Sequence, residues 1–364
     1  MQRRRIQRVT TAGLATAAIA SLVAACGSSG SSGSSSTPSG SSSSSAAQLT
    51  GTLNGSGSTF QLTFQQAAIQ GFKSTQPSMT VNYGGGGSGK GRTDLASGTV
   101  NYAGSDSSIP ATETANFKGK TVLYFPVVIG PITVSYNLSG VSSLKLSAEV
   151  IANIFQGTIK TWNDPAIKAI NPGVTLPSTA ITIARRSDSS GTTANFSLFL
   201  MDAAPSVWKL GSSSTINWPA TSRGGNGNGG VAQIIKSTPG AIGYVDYSDA
   251  KASGLTFASV LNKSGKYVAP STTAASAAAA GATVAPDLTF HAVWSGDATS
   301  YPITYQSWVL VYEKQSSATT AKMLQAYIGY LLGAGQKLLP SLSYAPLPSS
   351  IDQQAVAQLS KIGS

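Results

Sequence analysis

The chain has little of what most enzymes and metalloproteins depend on. It holds one Cys and one His in 364 residues, and only 10% of its residues are charged. A disulfide framework, a Cys/His zinc site and a hydrolase built from several Cys and His are thereby excluded. Acid is scarce too, with 13 Asp and Glu against 24 Lys and Arg, a formal charge of +11. Four of the cations (Arg3, Arg4, Arg5, Arg8) crowd the start, which leaves 20 cations against 13 acids, or +7, for the rest. That remainder has no clustered Lys/Arg interleaved with stacking aromatics, so a nucleic-acid face is excluded as well, although the basic balance can steer anions. What is present is bulk. A hydrophobic share of 41% is too high for a disordered chain, and the length suits two domains of roughly 150 residues by the usual size prior.

The N-terminus reads as an address. After the arginines, Val9–Ala25 carries no charge and is dominated by Ala, Val, Leu and Ile. This is the pattern of a secretory signal, too short and too weakly apolar for a good membrane span. The run ends in Val23-Ala24-Ala25-Cys26-Gly27, which resembles a lipobox, with Cys26 as the lipid-modified residue after cleavage of residues 1–25. From Ser28 to Ser45, 13 of 18 residues are Ser, and such a stretch cannot offset its ordering entropy by burying apolar surface. Residues 26–48 are therefore expected to tether a folded body to the outer face of the cell membrane.

From Leu49 onward the pattern alternates between strand and helix. Strands are predicted at Leu49–Asn54, Met79–Tyr83, Asn101–Gly104, Val122–Ile129, Ile132–Asn137, Ile181–Ala184, Ala241–Val245 and Trp308–Tyr312. Helices are predicted at Gln61–Lys73, near Arg92–Ser97, from a Ser147 cap to Phe155, near Asn195–Met201, and at Gly230–Lys236, Ala318–Leu332 and Ile351–Lys361. Residues 271–286, rich in Ser, Thr, Ala and Gly, read as a variable surface segment. The fold class is α/β, with ligands expected at the C-terminal ends of the strands.

Four polar loops follow predicted strands: Gly55–Phe60, Gly84–Gly91, Gly104–Ser107 and Arg185–Thr193. Glycine lets the backbone approach closely, while Ser and Thr add neutral donors, so each loop can hold an anion. Any one of them is more often an ordinary turn or cap. Four in one chain, one with tandem arginines, point to an oxyanion site. Gly84-x-x-x-x-Gly89-Lys90 fits most of a nucleotide-binding P-loop, but Gly91 stands where a Ser or Thr would hold magnesium, so nucleotide binding is set aside.

In chain order, these stretches resemble the phosphate-binding lipoproteins of phosphate-specific ABC transporters. The matching segments are Gly55–Phe60, Val81–Gly91, Ser97–Asp106, Ile159–Ile167, Asn171–Gly173, Arg185–Thr192, Gly227–Tyr247 and Tyr301–Thr304. The similarity runs from about Leu49 to Leu347; it departs at the unbroken glycine run Gly84–Gly87 and at residues 271–286. The resemblance implies a two-lobed periplasmic-binding-protein fold (type II-like) with a hinge and an interlobe cleft. Lobe 1 would combine 49–127 with 300–364, and lobe 2 would be 128–299. It also implies phosphate contacts from Thr59, Phe60, Ser88, Asp106, Arg186, Ser190, Gly191 and Thr192, with Asp188 pairing with the arginine. Its partners would be inorganic phosphate and a permease with its ATPase; the protein would be a monomer without cofactor or metal.

The residue types support this independently. Phosphate near neutral pH keeps at least one P–OH that Asp106 can accept, whereas sulfate would set a lone pair against a carboxylate. Arg186 offers a planar fork to a tetrahedral oxyanion, and Ser190-Gly191-Thr192 would open a helix toward it. Asp106 could instead cap a helix, and Asp188 could be a surface ion pair. Other readings are a receptor for arsenate, sulfate or molybdate, a signalling or adhesion lipoprotein, and a secreted phosphatase or serine hydrolase using Ser88 or Ser190. The enzyme lacks parts: His291, beside Phe290 and Val293, reads as structural, and no other base is offered. Trp162 and Trp308 read as core or lobe-surface aromatics.

Overall fold

The computed structural model describes residues 48–364. The signal segment, Cys26 and all of the tether but Gln48 lie outside the described residues. The strands are β1 (Gly51–Gly57), β2 (Met79–Gly86), β3 (Tyr102–Ser105), β4 (Val122–Tyr136), β5 (Lys145–Leu146), β6 (Thr182–Arg186), β7 (Arg223–Gly225), β8 (Ala241–Asp246), β9 (Thr256–Phe257), β10 (Ser259–Leu261), β11 (Tyr267–Val268) and β12 (Thr304–Tyr312). The helices are α1 (Leu62–Phe72), α2 (Ser88–Ser97), α3 (Ala148–Phe155), α4 (Pro165–Ala169), α5 (Gly191–Ala203), α6 (Gly227–Ser237), α7 (Tyr247–Ala252), α8 (Thr272–Ala280), α9 (Ala318–Leu332) and α10 (Ser349–Gln358). Among the described residues no helix is long and apolar enough to cross a membrane.

The main sheet runs in the order β2-β1-β3-β12-β4-β8-β6-β7, with β9 added on β4, while β5, β10 and β11 form a small second sheet. In one half β1 lies parallel to β2 and β3; in the other β6 lies parallel to β7 and β8. Strand β4 joins the halves. Its residues Val122–Pro131 pair with β12, and Ile132–Tyr136 pair with β8.

Patterning predicts two strands here, Val122–Ile129 and Ile132–Asn137. They are instead one strand of 15 residues, buried along nearly all its length. Proline survives within it because its missing N–H falls at irregular points of the ladder. Pro126 sits opposite a register shift between Ser307 and Trp308, and Pro131 pairs with Thr304, where β12 begins.

Most other elements lie within a few residues of their predicted places. Ser147 caps α3, its Oγ accepting from Val150 N–H at 3.4 Å, and the face Ile151, Ile154, Phe155 is buried. Trp162 and Trp308 are both core residues, and each indole N–H reaches a carbonyl at 2.9 Å, Gly240 and Leu288 respectively. Residues 271–286 need correction. Thr272–Ala280 is a helix, capped by Ser271 Oγ accepting from Ala274 N–H, and Ala274, Ala275, Ala278 and Ala279 are buried. Alanine is the strongest helix former, and its small side chain lets the helix lie close against β4 and β12. What composition presents as a surface filler is in part a packed helix.

Candidate functional site

The parallel strands set the site. Strands β1, β2 and β3 end at Gly57, Gly86 and Ser105, and β6 and β7 end at Arg186 and Gly225. Polar loops thus leave the C-terminal ends in both halves, where α/β sheets hold ligands. The two sets of loops touch. Asn228 N–H reaches Thr59 Oγ1 at 3.3 Å, Gly89 N–H reaches Ser189 O at 3.0 Å, and Asn195 Nδ2 donates to Asp106 O at 2.6 Å.

Asp106 follows β3 and is 1% exposed. Its Oδ1 accepts from Ser58 Oγ and Ser307 Oγ, each at 2.5 Å. Gln61 fixes the second of these. Its Nε2 gives a hydrogen bond to Ser307 Oγ at 2.6 Å, so the Ser307 proton is free to turn to Asp106. On the other oxygen, Oδ2, Ser88 Oγ lies at a long 3.4 Å, leaving acceptor capacity unused. Burial pushes the Asp106 carboxyl above the usual range, while the Ser307 and Ser58 hydroxyls pull it back. It is an acceptor by construction, and it caps no helix.

Arg186 ends β6 with its side chain almost wholly buried. Its Nε donates to Asp188 Oδ1 at 2.8 Å and its Nη2 to Asp188 Oδ2, a two-pronged pair, while Nη1 reaches Asn228 Oδ1 at 3.1 Å and Thr192 Oγ1 at 3.4 Å. Burial opposes the Arg186 charge, but the Asp188 bonds and charge outweigh it and hold the guanidinium firmly protonated. Burial likewise works against the Asp188 carboxylate, and the Arg186 hydrogen bonds and charge win, keeping it below the usual range. The expected Arg186–Asp188 pairing is thus present, and it is no loose surface pair.

Ser190 caps α5, its Oγ accepting from Thr193 N–H at 3.1 Å. The first turn of α5 therefore opens with the Gly191 and Thr192 N–H groups, at the positive end of the helix dipole. Phe60 is 1% exposed, its ring stacked on Tyr305 (4.2 Å between centroids) and edge-on to Tyr344. Its N–H is engaged by Ser58 Oγ at 3.1 Å, so the donor that the resemblance assigns to a ligand is already shared inside the loop. Thr59, Ser88, Asp106, Arg186, Asp188, Ser190, Gly191 and Thr192 all meet in one place.

Sequence reasoning misses several members. Ser58 lies inside the first of the four polar loops yet goes unremarked, and Ser307 lies in the middle of β12, where nothing local marks it. Asn228 carries the sharpest signal. It is fully buried, its Oδ1 takes Arg186, and its Nδ2 has no hydrogen-bond partner among the described residues. A buried donor without a partner is costly, and here it fits an anion between the halves.

Arg92 is also missed. Its side chain is buried, with Nε and Nη2 forked onto Glu113 at 2.7 and 2.9 Å, and Nη1 on Ser107 Oγ at 3.0 Å and Ser105 Oγ at 3.2 Å. It clamps the residues on either side of Asp106. Arg92→Ala is expected to lower stability by about 3 kcal/mol, the low end for breaking a buried pair, since Glu113 is partly exposed. Thermal melting reads this, and Arg92→Lys should recover only part, having charge without the fork. His291 takes no part in these hydrogen bonds; it lines a cavity of about 260 Å³ beside them, with Ser107, Asn195 and Ser213. Among the described residues no group of three or more His, Cys, Asp and Glu is placed to hold a metal.

Fold and site define a class, the two-lobed α/β solute-binding proteins with a polar cleft between their halves. Residues 42–334 match the sequence profile of the PBP superfamily domain. The chain is 34% identical over 313 residues to the phosphate-binding protein PstS of Pasteurella multocida, covering 84% of this chain and 89% of that one. It is also 34% identical to phosphate-binding protein PstS 2 of Mycobacterium tuberculosis, covering 85% and 87%. The chain belongs to the PstS family within the PBP superfamily. Among solved structures it aligns with a high-affinity periplasmic phosphate-binding protein (PfluDING) bound with phosphate, at TM-score 0.69 and 21% identity, covering 85% of this chain and 94% of that one. That likeness bears on the fold. The relatives are named as binding proteins, not as enzymes.

Proposed function

We propose that the chain is an extracytoplasmic lipoprotein that captures inorganic phosphate between its two halves and delivers it to the permease of an ABC transporter. One observation carries the reading. Asp106 is a buried carboxylate whose Oδ1 is saturated by hydroxyls and whose Oδ2 faces the first turn of α5. An acceptor there suits an anion that still bears a proton and opposes one that bears none. Arg186, the α5 N–H groups and Asn228 Nδ2, which has no partner among the described residues, supply the donors.

In this reading Thr59, Phe60, Ser88, Asp106, Arg186, Ser190, Gly191 and Thr192 contact the anion, and Asp188 holds Arg186. Lobe 1 is 49–127 with 300–364, lobe 2 is 128–299, and the exchange of partners along β4 supports a boundary near there. Delivery to a permease and its ATPase is supported by family membership. The anchor is supported by the arginine-rich start and the sequence around Cys26. Cys26→Ala should shift the protein from the membrane fraction to the medium, and retention at the membrane would remove the anchor from this account.

The deciding experiment is calorimetric titration of protein unfolded and refolded to strip bound anion, with phosphate, arsenate and sulfate. Tight one-to-one binding of phosphate and arsenate with no heat from sulfate is expected. Sulfate binding would overturn the role given to Asp106, and silence from all three would overturn the function.

A further inference from the structure

We propose that Gly89, through its contact with Ser189 across the cleft, sets how far the two halves close. The inference rests on the binding function proposed above, and it concerns the glycine-rich stretch that nucleotide chemistry leaves unexplained.

Gly89 lies in the first turn of α2, directly after Ser88. Its φ is not in the left-handed region, so the backbone makes no demand for glycine. Within a helix alanine would be favoured over it. The demand comes from outside the helix. A Cβ at this position would overlap Ser189 Cβ and Oγ, with Ser189 O at 3.4 Å. Gly89 N–H already donates to Ser189 O at 3.0 Å. The two residues belong to opposite halves, since α2 follows β2 while Ser189 follows β6.

Neighbouring glycines do not isolate this effect. Gly87 also faces Asp188 and Ser189, but its φ of +92 calls for glycine whatever the halves do. Gly191 faces Asp106, and its N–H lies in the proposed anion site. A Cβ placed on Gly84 would meet nothing within 4 Å, so closeness is not a general property of the run. At Gly89 a single methyl would act only when the halves meet. It would wedge the closed form apart and leave the open form with a slightly better helix. The bound anion would then escape faster, with the donors and Asp106 unchanged.

The test uses Gly89→Ala alone and combined with Ser189→Gly or Ser189→Ala, in the full-length protein. Phosphate and sulfate binding are measured by titration and stopped flow, and molecular shape by small-angle scattering with and without phosphate. Gly89→Ala is expected to melt at or above the wild-type temperature and to bind phosphate about tenfold more weakly, mostly through faster release, with the phosphate-to-sulfate ratio unchanged. Ser189→Gly removes both side-chain atoms that the methyl meets and should restore affinity. Ser189→Ala keeps Cβ and should not.

Wild-type affinity in Gly89→Ala would overturn the proposal, as would equal rescue by both Ser189 variants or a changed ion preference. If wild-type protein binds no phosphate, the proposed function falls separately. Scattering then decides: a more open Gly89→Ala form that Ser189→Gly closes again sustains the inference, and identical profiles overturn it.

Discussion

Arg186→Ala is expected to lose measurable phosphate binding and to weaken the fold at the same time. Removing the guanidinium takes away the charged donor of the proposed site, and it also strands Asp188, whose carboxylate takes two bonds from Arg186 and one from Gly227 N–H at 3.1 Å. Breaking a buried pair by deleting one partner costs about 3–5 kcal/mol. Asn228 Oδ1 and Thr192 Oγ1 lose their donor in the same step. The double variant Arg186→Ala/Asp188→Ala separates the effects. It should regain part of the stability, because no charge is left stranded, and none of the affinity. Calorimetry and thermal melting on the three proteins check this. A normal isotherm from Arg186→Ala would put the site elsewhere.

Asp106→Asn carries the second large effect, and it is one of selectivity. The amide keeps an oxygen for Ser58 and Ser307, but it sets an N–H where Oδ2 stood. A donor there accepts a fully deprotonated oxygen and turns away a P–OH. Preference for phosphate over sulfate should fall at least about tenfold, about 1.4 kcal/mol. The variant also has a pH signature. Burial raises the Asp106 carboxyl above its unfolded value, so the native form binds the proton more tightly than the unfolded chain. The contribution is complete below the unfolded value and is lost as pH rises through the native one. The stability gap between wild type and Asp106→Asn, measured without ligand, should therefore move in favour of wild type as pH falls through that window. A gap independent of pH would mean that the carboxyl titrates alike in both states.

How much of this is legible in the sequence follows from the range of each interaction. Helix α9 can be read almost residue for residue, because its period and its Ser317 cap are local. The Arg186–Asp188 pair is legible for the same reason, two residues apart at the end of β6 and the start of the loop after it. Ser307 is not. It reaches Asp106 from 201 residues away, just ahead of the predicted strand Trp308–Tyr312, and nothing local singles it out from Thr304 and Gln306. Arg92 and Glu113 are 21 residues apart and meet only once α2 and β3 have packed. The misreading of β4 has another source. Gly130-Pro131 breaks the local pattern, yet the change of ladder partner at that point lets the strand continue. The helix at 272–280 is hidden by composition, since alanine and serine suit a loose surface as readily as a tightly packed helix.

That continuity makes β4 a ruler. Each residue added to or removed from an antiparallel strand slides everything beyond it by about 3.4 Å and turns the following side chains to the opposite face. A hydrogen bond tolerates a few tenths of an ångström. One deletion between Val122 and Pro131 would therefore disturb the β12 ladder and shift it against the β8 ladder, so that Ser58, Ser88 and Asp106 no longer faced Arg186 and Asn228. The loops around the cleft carry no such register, whereas the residue count of this strand sets the spacing between the two halves on which the proposed anion site depends.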